Sequence, residues 1–149
     1  MPVRTTFSQT VPFAHSLSKV RGKQNVSLAL QKACEQLREL IKANLLLHLR
    51  NTQFSEDALS LWPVLKDQDW IQTYENCFTV QPDMKGLSVT LQFSPEPLRE
   101  LGLPDNFPWM LEFGSEEGIP PVAHIRTAWD EFMRRHIAKV TQELTNAVV

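Results

Sequence analysis

Apolar residues recur every three or four positions from Asn25 onward. Val26, Leu30, Ala33, Leu37, Leu40 and Ile41 share one face, which predicts a helix over 25–49 with Asn25 able to cap it. Toward its end that face widens through Leu45, Leu46, Leu47 and Leu49. The end is therefore either deeply enclosed or turned toward another subunit. A second stripe, Trp129, Phe132, Met133, Ile137, Val140 and Leu144, predicts a last helix from His124 or Thr127 to Asn146. On its other face Asp130 precedes Arg134, and Glu131 precedes Arg135, by one favourable turn. Between the helices the period changes. Leu87, Val89, Leu91 and Phe93 alternate with Ser88, Thr90 and Gln92, the pattern of a half-covered antiparallel strand. Residues 70–82, with Tyr74, Phe78 and Val80, are its expected hairpin partner through Asp83-Met84-Lys85-Gly86.

The remaining segments are shorter. Residues 51–69 read as a linker with brief helical pieces, one starting at Ser55 before Glu56 and Asp57 and another at Trp62-Pro63. Trp62 and Trp70 either close a core edge or make specific contacts. A helical turn is expected over 97–101, ended by Gly102, and residues 108–113 are expected to return to strand. The fold class is thus α+β. A two-layer domain is expected, with an antiparallel sheet of three to five strands packed against a long N-terminal helix and a C-terminal helix. Residues 1–24 form an N-terminal arm and 25–149 one domain, in keeping with a length of 149 residues.

Charge adds a partition to this picture. Net charge is -2, but residues 1–50 carry eight basic and two acidic side chains, and 51–120 carry three and twelve. Unlike segments of neighbouring copies could attract, or the split could be neutralised within one monomer. The arm holds Arg4, Lys19, Arg21 and Lys23 with no acidic residue. It is a solvated tail, an arm laid on a neighbouring subunit, or a nucleic-acid contact. Cys34 and Cys77 favour free buried thiols over a disulfide. No stretch reaches eighteen apolar residues, and the first thirty lack a continuous apolar segment, which disfavours membrane spanning and classical secretion.

Chemistry has little to build on. No G-x-G or G-K-[ST] occurs among five scattered glycines, and no H-E-x-x-H or C-x-x-C is present. Glu112, Glu116 and Glu117 read as a solvated acidic loop, as a patch that docks a basic arm, or as acid-base groups lacking a partner to split their pKa values. Ser115 follows Gly114 but sits in no nucleophile elbow. The expectation is a chain without catalytic residues, cofactor or metal. Arg126, just after Pro120-Pro121, either pairs with Glu112 and orients the last helix or stands exposed.

Leu111-Glu112-Phe113-Gly114-Ser115, then Pro121, then His124-Ile125-Arg126-Thr127-Ala128 resembles a signature of the small neck-region proteins of long-tailed bacteriophages and prophages. These are called tail-component, tail completion or head-tail joining proteins. In that family Glu-Phe-Gly-Thr ends an aromatic-rich strand, and Pro-x-x-Phe-x-Arg-x-Ala leads into a final helix. Glu112, Phe113, Gly114, Pro121, Arg126 and Ala128 match. Ser115, His124 and Thr127 depart, standing where threonine, phenylalanine and proline are common. The resemblance implies a non-enzymatic structural subunit of a homo-oligomeric ring at the head-tail joint, assembled in the host cytoplasm and carried in the virion. Such a ring touches the phage connector on one side and the tail tube or terminator on the other, and DNA passes through it without sequence-specific contacts. Candidate subunit-interface residues are Arg4, Lys19, Arg21, Lys23, Leu46, Leu49, Glu116 and Glu117. A tail terminator or other minor tail subunit, and a cytoplasmic protein-binding adaptor of non-viral origin, are the competing expectations.

Overall fold

The computed structural model describes residues 6–10, 20–50, 52–83, 85 and 88–148. Its centre is a thirty-residue helix, α1 (Val20–Leu49). Val26, Leu30, Ala33, Leu37, Ile41 and Leu45 are buried along it, at the spacing that placed the helix in the sequence. Helix α1 meets a β-hairpin on one part of its surface and the two C-terminal helices on another. This double coverage explains why its apolar face is wide.

The hairpin consists of β2 (Phe78–Asp83) and β3 (Ser88–Phe93), antiparallel with Phe78 opposite Phe93 and Val80 opposite Leu91. Val89, Leu91 and Phe93 are buried while the intervening residues are only partly so, the alternation expected of a one-sided strand. A segment of the arm, β1 (Thr6–Thr10), pairs along the outer edge of β3, Phe7 opposite Leu91.

The expected sheet of three to five strands is not what residues 25–149 form. That domain supplies a two-stranded antiparallel sheet and several helices. Two segments read as strand are helical. Residues 70–76 belong to α3 (Asp69–Asn76), and residues 108–113 to α5 (Phe107–Phe113). Trp70, Ile71 and Tyr74 fall on one helical face, as do Phe107, Met110 and Leu111, and all six are buried. Pro108 sits in the first turn of α5, where its missing N–H costs nothing, whereas in a central strand it would remove a ladder bond. The layering also differs. The C-terminal region is two helices, α6 (His124–Arg135) and α7 (Ile137–Val148), broken at His136, and both pack chiefly on α1 rather than on the sheet. Gln36 of α1 bonds His136 Nδ1 at 2.8 Å, fixing the break against the long helix.

Helix α2 (Glu56–Leu61) is capped by Ser55, whose Oγ accepts from the Ala58 N–H at 3.1 Å. A 3-10 turn at Pro63–Lys66 leads into α3, and α4 (Glu96–Glu100) occupies the turn foreseen around Pro97. Trp70, Tyr74, Phe78, Phe93 and Phe107 form a buried aromatic cluster in mostly edge-to-face contact, ring centroids 5.1 to 6.1 Å apart. Cys34 and Cys77 are buried and free. Burial and the charge of Glu35 push the Cys34 thiol to about 11, and burial is the main cause that pushes Cys77 to about 12, so both stay protonated.

Candidate functional site

Helix α6 begins without a capping side chain, because its N-cap residue is Ala123, held at φ 51. The exposed N–H groups of its first turn need acceptors. A residue from the neighbouring helix supplies them. Glu112, next to last in α5, is 3 % exposed. One of its carboxylate oxygens, Oε1, accepts from the Ile125 N–H. The other, Oε2, accepts from the Arg126 N–H at 3.4 Å and Arg126 Nε at 3.0 Å. Arg126 also donates to the Glu112 main-chain carbonyl at 3.2 Å. A carboxylate at a helix N-terminus gains from the helix dipole as well as from these bonds.

His124 extends the network inward. Its Nδ1 lies 3.1 Å from Glu112 Oε1 and its Nε2 2.6 Å from Tyr74 Oη, and the side chain is fully buried. The carboxylate can only accept, so neutral His124 carries its proton on Nδ1, and Nε2 accepts from the Tyr74 hydroxyl. Burial holds His124 below its ordinary value of 6.5 despite the raising influence of Glu112. Burial raises Glu112, but bonds from His124, the Ile125 N–H and Arg126 outweigh it and leave the carboxyl below its ordinary 4.5. Tyr74 is driven upward by burial and then by the charge of Glu112. Tyr74, His124 and Glu112 thus form a buried polar cluster in which His124 bonds Tyr74 and lies 3.1 Å from the Glu112 carboxylate. It ties α3, α5 and α6 together.

The loop joining α5 to α6 is equally determined. Gly114 ends α5 at φ 81 and ψ 168, and a Cβ there would stand 3.2 Å from Pro121 Cδ and 3.3 Å from the Ile119 carbonyl oxygen. Only glycine is at ease in that conformation. The Leu111 carbonyl accepts from the Val122 N–H at 2.6 Å, so the Pro120-Pro121 segment folds back on α5. The Ser55 N–H donates to the Gly118 carbonyl at 3.1 Å, and Ser55 Oγ donates to that of Glu117 at 2.9 Å.

On the outer side of this latch the chain exposes aromatic surface. Trp109 and Phe113, one turn apart on α5, stack at 5.7 Å with an interplanar angle of 8°. The Arg126 guanidinium carbon lies 4.6 Å from the Phe113 ring centroid, a cation–π contact. Trp129 and Met133 stand three and seven residues beyond Arg126, on the same stripe of α6, and are also exposed.

Of the residues singled out in the sequence, Glu112, Phe113, Gly114, Pro121, Arg126 and Ala128 fall in one neighbourhood. Glu112 and Ala128 are buried, while Phe113, Pro121 and Arg126 are exposed. Glu116 and Glu117 lie exposed on the adjoining loop. Leu46 and Leu49 are only partly exposed and pack against the core, and Leu47 is the outward leucine of that turn. Arg21 and Lys23 lie in the first turns of α1, and Arg4 and Lys19 fall outside the described residues. Sequence reasoning missed Tyr74, His124 and Trp109. Each became legible only once residues 69–76 and 107–113 are helices, which puts Trp109 one turn before Phe113 and turns Tyr74 inward.

Among the described residues no group of histidine, cysteine, aspartate or glutamate side chains could hold a metal ion, and no helix is long and apolar enough to cross a membrane. An open cleft of about 300 Å³ beside the end of α1 is lined by Leu49, Phe54, Leu59, Trp70 and Ile71, among others, and brings together only Lys66 and Asp67 as charged groups. Comparison with protein-family models, curated proteins and solved structures finds no match.

Proposed function

We propose that this chain is a non-enzymatic structural subunit of the head-tail joint of a long-tailed phage or prophage, forming part of a ring that continues the DNA channel. The observation that carries the reading is the Glu112 latch. The residues on which the family resemblance rests lie on two helices and the loop between them, and they act together here. Glu112 caps α6 and holds Arg126, Gly114 makes the turn that only glycine accepts, Pro121 lies against Gly114, and Arg126 covers Phe113. Such a unit fixes a rigid wedge and displays aromatic and cationic surface, the composition enriched where proteins meet. The exposed acidic pair Glu116 and Glu117 and the basic arm supply unlike charges suited to a heterologous interface that closes.

The experiment is genetic and compositional. Disrupting this gene in the replicon that encodes it should leave DNA-filled heads and separate tails that fail to join, and complementation should restore infectious particles. Normal yields of joined, infectious particles without the chain would refute the reading. Heads and tails that join normally but tails of irregular length would move it to the tail terminator position.

A further inference from the structure

The two strands of the hairpin are built differently. Strand β2 ends in Pro82 and Asp83, both exposed, and proline and charge are what natural sheets place on an edge to keep other strands off. Strand β3 reads Ser88-Val89-Thr90-Leu91-Gln92-Phe93, with neither proline nor charge. Such a strand is suited to pairing on both sides. Strand β2 serves one side. Strand β1 serves the other, antiparallel, with Thr6 opposite Gln92, Ser8 opposite Thr90 and Thr10 opposite Ser88. The outer edge of β3 is thus a strand-binding site of the kind used in β-augmentation, and Thr6–Thr10 is a strand that fits it in register.

Among the described elements, the extensive contact of β1 is with β3 alone. Every copy of the chain carries both the strand and the edge, so the main-chain bonds on offer are the same within one copy and between two. The tether decides between them. The nine residues between Thr10 and Val20 reach about 30 Å when extended, far enough to lay the strand on a copy standing beside its own. A tether this short holds its strand at an effective concentration on the order of millimolar. In dilute solution the strand therefore closes on its own body, and copies packed side by side compete for it.

We infer that the outer edge of β3 receives Thr6–Thr10 from a second copy when copies are packed together, each chain lending its strand to the next. Exchange of an identical element is a low-cost route to association, and passed in one direction it links copies head to tail. The inference deepens the proposed function by naming a subunit contact of the ring, and it rests on that reading only for the ring's location.

Cysteine pairs placed on the ladder test it, because residues directly opposite in an antiparallel pair stand within the span of a disulfide. The native Cys34 and Cys77 are buried and leave the readout clear. In the full chain, Ser8→Cys with Thr90→Cys should close within one molecule in dilute solution. Two chains, one carrying only Ser8→Cys and the other only Thr90→Cys, are then mixed at about millimolar concentration and oxidised. A dimer joined between positions 8 and 90 should form. It should exceed by on the order of tenfold the dimer obtained when Gln81→Cys, exposed on β2, replaces Thr90→Cys. Should Thr90→Cys fold poorly, Thr6→Cys with Gln92→Cys reads the same ladder. A mixture without the dimer while the double variant closes within one molecule would overturn the inference, as would a double variant that forms no disulfide. Strand exchange by a chain never found in phage particles would uphold the inference and sink the proposed function. A neck ring whose strands stay on their own bodies would do the reverse.

Discussion

Glu112 is the residue on which most local structure converges, and its substitution separates charge from shape. Glu112→Gln keeps the volume but leaves two helix N–H groups, Arg126 and His124 with a weaker acceptor. A loss of about 2 to 4 kcal/mol is expected, measured by urea unfolding. Arg126→Ala should cost about 1 kcal/mol or less, because the guanidinium is more than half exposed and its pair is screened by solvent. Acid should act through two neighbouring groups. Because burial holds His124 below 6.5, the unfolded chain binds a proton there that the folded chain refuses. The stability tied to neutral His124 is therefore whole above 6.5 and declines as pH falls below that value. Glu112 is held below 4.5, so its contribution is whole above 4.5 and disappears as pH falls through its folded value. Melting temperature should thus be flat near neutrality and fall in two stages on acidification. His124→Phe, which supplies the aromatic residue common at this point in the resembled family, should remove the first stage and leave the second. An unchanged profile in that variant would show that His124 is not the group that titrates. The sequence made the pairing of Glu112 with Arg126 arguable, since a tight return loop separates them. It gave no hint of the His124–Tyr74 bond, which depends on a third element fifty residues away.

At the scale of elements, long periodic segments were legible and short buried ones were not. The face of α1 and the alternation of β3 appear in the chain as patterns long enough to have one period. Residues 69–76 and 107–113 are each about two turns, almost wholly apolar or aromatic on the buried side, and over so short a run a buried helix and a buried strand look alike. Pro108 was the available signal, being welcome in the first turn of a helix and excluded from a central strand. The break at His136 was hidden because the apolar stripe continues in phase from Phe132 to Val140. The α5–α6 turn yields a sharp test. Gly114→Ala forces an L residue into φ 81 against Pro121 and Ile119, and about 1 to 3 kcal/mol of stability should be lost. Gly118→Ala places its Cβ 1.7 Å from Ser55 Oγ, so the loop must separate from the α2 cap. Thermal melts of the two variants check both, and a wild-type melting temperature for Gly114→Ala would mean that the loop relaxes freely.

For the whole molecule, a domain whose own sheet is a single hairpin changes the division of labour from what the sequence suggested. Helix α1, not the sheet, is the hub, covered by the hairpin on one side and by α6 and α7 on another. Its last turns still leave Leu47 in solvent. The rigid latch and the exposed aromatic surface lie on the same pair of helices, α5 and α6, which is the arrangement expected of a part whose work is to hold a neighbour at a fixed angle. The most direct measurement is a cryo-electron microscopy reconstruction of the neck of particles produced by the replicon that carries this gene. The account predicts a ring of copies of this chain between connector and tail, surrounding the DNA path, with Trp109 and Phe113 buried against the next subunit. A neck complete without this chain would contradict it.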